Sequence, residues 1–339
     1  NSGTGGIWQT SAGNVGIASS VPTAKLVVTG DANISGVATA AAFVPSAGQL
    51  SHRNLIINGE MQVAQYGTAE VTAAQDTNTY RADRFKFAEN TGGSVGMSIQ
   101  DGTGEFAKCL KVRVLSTDTS VANIDRSAIT YVIEDLDAKQ LQWGTANAKT
   151  VTLSFWVRSN VAGQTFCINV YNSGTNNRTY IAEYTLPGGT ANTWQKKTLT
   201  IPGDTTGTWA HIAVRWVLTA GTDYQGSAGW NAWSGSGGLE MATSNQYNWM
   251  GDSNDFHLTG VQLEVGSVAT PFEHRNYAEE LASCQRYYEV LYMSAGTACC
   301  YSTGDSTIKY AHTWYFKQEK RAQASVALLD DAAFSASGG

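Results

Sequence analysis

The chain has 339 residues, 35 of them glycine, with 15% charged residues and a formal net charge of −6. A net-negative chain with no basic run argues against a polyanion such as DNA as partner, and no stretch is apolar and long enough to cross a bilayer or to read as a signal peptide. Few Glu/Lys/Ala/Leu blocks and many Thr, Ser, Val, Tyr and Trp residues point to an all-β protein with many turns, long enough for two or three domains.

Residues 1–44 are poor in charge and rich in Gly, Ala, Ser, Thr and Val. Alone, such a segment buries too little apolar surface to offset its ordering entropy. Yet Val15 and Ile17 flank Gly16, and Leu26 and Val28 alternate with Lys25, Val27 and Thr29. Short strands of this kind are ordered most simply by wrapping several chains round a common axis. Residues 38–48 read as a linker. From Leu55 onward strands follow one another. Leu55 to Ile57 and Met61 to Val63 are expected to open a sandwich across the turn Asn58-Gly59. Phe85 and Phe87, then Val95, Met97 and Ile99, alternate with polar residues. Val112 and Val114 come next, then Ile129, Tyr131 and Ile133. Val151, Leu153, Phe155 and Val157 give the cleanest period of two. Phe166, Ile168 and Val170 follow, then Leu199 and Ile201, then Ile212, Val214, Trp216 and Leu218. So many short strands predict two packed sheets. A long insertion without strand pattern separates Leu218 from Phe256. In the next strand, Val261, Leu263 and Val265 have the opposite parity to Phe256 and Leu258, which predicts a bulge at Thr259-Gly260. Pro271 turns the chain off the sheet. Asn276 with Glu279 has capping-box spacing ahead of Leu281, Cys284, Tyr288 and Leu291, which predicts a helix. Weaker strands are expected over 309–316 and 324–329, in a small and incomplete β domain.

Reactive chemistry is sparse. There is no H-E-x-x-H, P-loop or G-x-S-x-G motif. His52, His211, His257, His274 and His312 are scattered. Cys109, Cys167, Cys284, Cys299 and Cys300 include no C-x-x-C and are odd in number, so neither a disulfide framework nor a zinc site is expected, and reduced thiols fit folding in a cytoplasm. Asp252, Asn254 and Asp255 offer oxygens to a calcium ion but read more simply as a solvated turn. Asp135 with Asp137, and Glu279 with Glu280, are neighbouring carboxylates without the facing geometry of a glycosidase pair. No cofactor and no metal are expected. The aromatic insertion stands out. Tyr224, Trp230, Trp233, Tyr247 and Trp249 lie among Gly, Ser and Asn. Flat rings stack on sugar faces while amides and hydroxyls take the sugar's OH groups, so these five are the candidate ligand-binding residues.

Four separate stretches carry a resemblance. NLIINGEMQVAQYGT with YRADRFKF, VTLSFWVRSN, KKTLTIPGDTTGTW and GVQLEVGSVATPFEHRNYAEELASCQRYYEV resemble, in order, strands of a bacteriophage tail-fibre receptor-binding family. GNVGIASSVPTAKLVVTGDANISG resembles a stalk repeat of trimeric phage fibres. The resemblance implies a trimeric fibrous β stalk and linker over 1–48, a jelly-roll, carbohydrate-binding-like β-sandwich over 49–275, and a connector helix with a small β domain over 276–339. It implies a structural virion protein without catalytic activity, a homotrimer in a phage tail that binds a host-surface glycan or other receptor. Because the chain starts with Asn, it is expected to be part of a longer one that joins other tail proteins through a preceding region. A tailspike-like glycan depolymerase and a secreted carbohydrate-binding module are the alternatives.

Overall fold

The computed structural model describes residues 6–11, 13–21, 23–24, 26–28, 51–172, 178–226, 230–235, 240–290 and 315–325. The chain forms two compact units, Asn1–Ser46 and Ala47–Gly339. In the smaller, β1 (Ile7–Gln9), β2 (Val15–Ile17) and β3 (Leu26–Val28) make one sheet in that order. β1 and β2 run antiparallel, β2 and β3 parallel. The expected linker over 38–48 lies outside the described residues.

The larger unit is a β-sandwich of two antiparallel six-stranded sheets. Its strands are β4 (Val71–Thr72), β5 (Thr79–Tyr80), β6 (Phe85–Asn90), β7 (Ser94–Thr103), β8 (Phe106–Ser116), β9 (Arg126–Ile133), β10 (Val151–Ser159), β11 (Gln164–Asn172), β12 (Thr179–Leu186), β13 (Gln195–Ile201), β14 (Ile212–Ala220) and β15 (Asp255–Val265). The first sheet has the order β13-β10-β15-β8-β7-β4, the second β12-β11-β14-β9-β6-β5. From β9 the chain crosses between sheets at almost every connection, so facing strands are brought together from distant sequence. Period two puts Phe85, Phe87, Ile129, Tyr131, Val214 and Trp216 on the inner face of the second sheet, opposite Leu153, Phe155, Leu258 and Leu263 of the first. Trp216 sits between Phe85 and Phe155, at centroid distances of 6.2 and 5.8 Å. Cys109, Cys167 and Cys284 are buried thiols without disulfides; Cys299 and Cys300 lie outside the described residues.

β15 carries the predicted irregularity. Its register against β10 shifts between Ser154 and Trp156, and Gly260 takes φ +57°. A side chain there would lie 2.6 Å from the Phe106 ring, so both backbone and space require glycine. The segment expected to open the sandwich as two strands is instead a turn. Asn58 has φ +61°, donates its amide to the carbonyls of Val63 and Asp83, and accepts from the Val63 N–H. Side-chain bonds thus replace a ladder. β12 has no counterpart among the expected strands.

The expected helix is α2 (Tyr277–Gln285), and a second, one-turn helix, α1 (Asp135–Ala138), precedes it in the chain. The Asn276 carboxamide oxygen accepts from the Ala278 N–H at 2.9 Å. Glu279 does not close a capping box; it reaches His52 at 3.1 Å. Tyr288 falls past the helix end and stacks on Tyr66 with centroids 3.8 Å apart, and Leu291 lies outside the described residues. Glu280 accepts from the Asn58 N–H, and Arg286 pairs with Glu134 at 2.7 Å, so α2 is fastened to the sandwich. Among the described residues 315–325 there is no strand, and Lys320 pairs with Glu289 at 2.7 Å. The rest of 309–316 and 324–329 lies outside the described residues.

Candidate functional site

Two outer faces compete. On the second sheet, register lines up one row across all six strands: Tyr80, Lys86, Thr130, Arg215, Asn169 and Ile181. Each has the parity opposite to the core residues, so all six point outward. Beside this row lie Val132, Ala213, Tyr171 and Thr179. On its other side lie Ala88, Ala128, Val217, Cys167 and Glu183.

The insertion roofs part of this face. Ala128, Cys167, Ile181, Val217, Ala220, Met241 and Ala242 form a second, smaller apolar cluster outside the sheet, with Tyr224 packed against it. Gln246 pins the roof by accepting from the Cys167 N–H at 2.8 Å and donating to the Leu218 carbonyl at 3.1 Å. Asn245 donates to Glu183 at 3.0 Å. Further on, Ser234 exchanges backbone bonds with Thr179 at 2.9 and 3.0 Å, and the Asn231 N–H reaches the Ile181 carbonyl at 2.8 Å. The insertion therefore also extends the sheet past β12. Lys86, Tyr171 and Arg215 stay half-buried at the margin of the roof.

Charge on this face is positive. The Arg215 guanidinium lies 4.8 Å from the Tyr171 ring centroid and donates Nη1 to Asn169 at 3.2 Å. Asn169 is buried and held by its own bond to Thr179 at 2.7 Å. Arg126 lies 4.9 Å from the Tyr224 ring and 3.7 Å from Asp76. Burial, then Arg215, pushes the Lys86 ammonium below its ordinary value. Burial lowers Arg215 as well. Two flanking tyrosines, a buried amide and cations at the edge of a roofed sheet can stack on a sugar ring and donate to its oxygens.

The five sequence-predicted residues do not form one site. Tyr224 lines the roof above the second sheet. Trp230 is 47% exposed beyond the β12 edge. Trp233 packs into a triangle with Trp143 and Trp209, at centroid distances of 5.1 Å each, and touches Tyr180 at 5.2 Å. The three indole N–H groups are used on the carbonyls of Pro202, Lys149 and Thr206, so the triangle closes an end of the sandwich. Tyr247 packs edge-on against Phe166 at 5.9 Å. Trp249 is wholly buried in the main core and offers no surface to a ligand. Its place as a ligand residue is corrected: the short 3-10 turn Trp249–Gly251 returns the ring onto the sandwich. Tyr171, Arg215 and Lys86 were missed. Their signal was present as outward polar or aromatic residues within alternating strands, read there only as evidence of strands.

The first sheet's outer face holds Trp156, Arg158, His257 and Lys111. Arg158 lies 3.0 Å from His257 Nε2 and 5.6 Å from the Trp194 centroid. Burial, then the Arg158 charge, pulls His257 down to about 4. Further along this face, the Thr270–Pro271 segment and Arg53 cover Gln262 and Glu264: the Gln262 amide donates to the Pro271 carbonyl, Thr270 donates to Glu264 at 2.7 Å, and Arg53 lies 3.7 Å from Glu264.

Among the described residues no group of three His, Cys, Asp or Glu is placed to hold a metal ion. Asp252 accepts from the Ser253 N–H at 2.7 Å, Asp255 from the Asn160 N–H at 3.1 Å, and the Asn254 amide donates to the Trp249 carbonyl at 2.8 Å. This is a self-satisfied turn. Asp135 and Asp137 lie in α1, with Asp135 3.8 Å from Lys139. Glu280 is tied to Arg275 at 3.1 Å, with burial raising its carboxyl.

No family model matches the chain, and no curated protein matches it either. Among solved structures, it is similar to the enzymatically active domain of tailspike protein 4 of Bacteriophage CBA120, at 11% identity and TM-score 0.32, over 63% of this chain and 21% of that one. The chain thus spans about a fifth of that tailspike's length. It is similar to a CBM4 structure at 12% identity and TM-score 0.34, over 62% and 98% of the two chains. It is also similar to a family 11 carbohydrate-binding module from Clostridium thermocellum, solved with a β-1,3-1,4-mixed-linked tetrasaccharide, at 11% identity and TM-score 0.31, over 60% and 99%.

Proposed function

We propose that this chain is the receptor-binding part of a phage tail fibre, a structural virion protein that holds a host-surface glycan on the outer face of the second sheet. The observation that carries this is the half-roofed strip of Tyr171, Tyr224, Lys86 and Arg215 over a buried Asn169. It combines stacking rings with fixed hydrogen-bond donors, as sugar recognition needs. The resemblance of four ordered stretches to tail-fibre strands supports the setting in a virion. Trp230 adds an exposed ring at the sheet's extended edge.

The reading includes a homotrimer. In the small unit the three strands have three residues each, and Ile7, Val21 and Leu26 are 73, 76 and 61% exposed in a single chain. Among the described residues so small a sheet buries no apolar side chain of its own, and packing against copies of itself would bury these. The reading also takes the protein to bind without turnover, in a phage tail assembled in the host cytoplasm.

The test is adsorption to host cells, with glycan-array binding beside it. Tyr171→Ala combined with Tyr224→Ala should weaken both by roughly tenfold or more while melting stays close to the parent. Unchanged adsorption and array binding would refute the reading. Shortening of host polysaccharide on prolonged incubation would favour a depolymerase instead.

A further inference from the structure

The chain is net negative, yet three cations, Lys86, Arg126 and Arg215, point outward from β6, β9 and β14, neighbouring strands of one sheet. Elsewhere several buried or half-buried cations meet a carboxylate, while others, such as Arg84 and Lys197, are spent on backbone carbonyls. Arg178 meets Asp204 at 2.7 Å, Arg286 meets Glu134 at 2.7 Å, and Lys320 meets Glu289 at 2.7 Å. On this face only Arg126 has a carboxylate, Asp76 at 3.7 Å. Among the described residues Lys86 and Arg215 make no ion pair, and Lys86 makes no hydrogen bond. After burial, the charge that acts on Lys86 is Arg215; at Arg215 the Tyr171 hydroxyl acts first, in the opposite sense to burial, and the Arg126 charge after it. On the roof side, Glu183 is occupied by Thr243 and Asn245, and Glu240, whose backbone carbonyl takes the Thr179 hydroxyl, sits with its carboxylate against Gly226.

Register makes this a pair. Lys86 and Arg215 both lie opposite Thr130, one strand to either side. That puts their backbones about 10 Å apart, and two long side chains close such a gap round a small anion. Arg215 uses Nη1 on Asn169, and its Nε–Nη2 edge makes no hydrogen bond among the described residues. That edge is the planar fork that matches a carboxylate, phosphate or sulfate. Half-burying two like charges without a counter-ion is unfavourable, and a ligand anion relieves it. Tyr171, Ala213 and Val132 lie alongside, a floor for the ring that carries the anion.

We propose that the ligand of this face is an acidic glycan, whose anionic substituent sits between Lys86 and Arg215; this rests on the reading of the face as the glycan site. An extended nucleic acid is disfavoured by the chain's overall negative charge.

The experiment is affinity electrophoresis of the full chain in gels carrying polygalacturonate, dextran sulfate, neutral dextran, neutral mixed-linked β-glucan or a DNA duplex. The first two arms separate a carboxylate source from an ester anion. The expected result is retardation by at least one acidic polysaccharide at low salt, fading with added salt, and none by the neutral polymers. Lys86→Gln should weaken it about tenfold with an equal or higher melting temperature, because an unpaired half-buried charge is removed. Arg215→Gln should weaken it at least as much, with Lys86→Gln as the control should Arg215→Gln fail to fold. Retardation by neutral polymers as strong as by acidic ones, unaltered in Lys86→Gln, would overturn the anionic inference and leave the glycan site standing. Retardation by none of the polysaccharides would overturn both. Retardation by DNA as strong as by the polysaccharides, and lost in Lys86→Gln, would overturn the glycan identity.

Discussion

Trp230 and Trp233 stand three positions apart and differ in fate. Trp230 is half-exposed at an extended sheet edge, whereas Trp233 is the third side of an indole triangle with its N–H on Pro202. Trp230→Ala should leave melting nearly unchanged and reduce adsorption. Trp233→Ala should cost about 3 kcal/mol by urea titration, with adsorption falling only where the protein unfolds. Equal melting of the two variants would contradict the placement. His257 provides a pH test. Folded, it stays neutral down to about pH 4, while the unfolded chain takes up its proton near 6.5. Its contribution is therefore whole above about pH 6.5 and is lost as pH falls toward 4, by on the order of 3 kcal/mol. Asp83 acts in the other sense: burial raises it to about 6, so what it contributes declines as pH rises from 3.8 to 6. Comparing wild type with His257→Gln cancels Asp83. The stability gap between them should close as pH falls from 6.5 to 4, and a constant gap would show that His257 titrates normally. None of these fates is visible in the insertion's composition, because each depends on what the chain meets when it returns to the sandwich.

β15 is an element on which sequence-distant segments converge: β10 along one edge, and along the other β8 over Asp255 to Leu258, then the Asn54 turn at Val261 and Leu263. Gly260 permits that. Gly260→Ala must hold an L side chain at φ +57° with its Cβ 2.6 Å from Phe106, and should cost about 3 kcal/mol. Gly104→Ala, whose added Cβ meets nothing within 4 Å, is the control and should cost little. Similar melting for both would mean the bulge can relax. The bulge was legible because parity flips between Leu258 and Val261, and parity follows from backbone geometry alone. β12 was not, because Ile181 breaks its polar outer face. That isoleucine is outward yet apolar because the insertion covers it with Met241 and Ala242. The opening turn was misread as strands because Leu55, Ile56, Met61 and Val63 are all buried. A buried apolar run looks like a strand whether its backbone bonds go to a ladder or to Asn58.

At the scale of the whole molecule, two-sheet architecture was legible from alternation. Which outer face binds was not, since that depends on what covers each face. The roof over the second sheet and the Pro271 segment over the first flank β15 in the chain, and each settles on a different sheet. Assembly is argued from the small unit, so light scattering of the intact chain should give three times the mass of one chain. Deleting residues 1–44 should weaken trimerisation more than it lowers the sandwich's melting temperature. A monomer mass for the intact chain would remove the stalk from the account. In the proposed trimer, three weak sites would bind tightly through avidity, which would let each be shallow. Covalent footprinting of the intact protein, with and without a host-surface polysaccharide and read at tyrosine and tryptophan, decides between the two outer faces. The account predicts protection at Tyr171, Tyr224 and Trp230, with Trp156 and Trp194 on the opposite face unchanged. Protection at Trp156 and Trp194, with Tyr171 and Tyr224 unaltered, would place the receptor on the first sheet and contradict it.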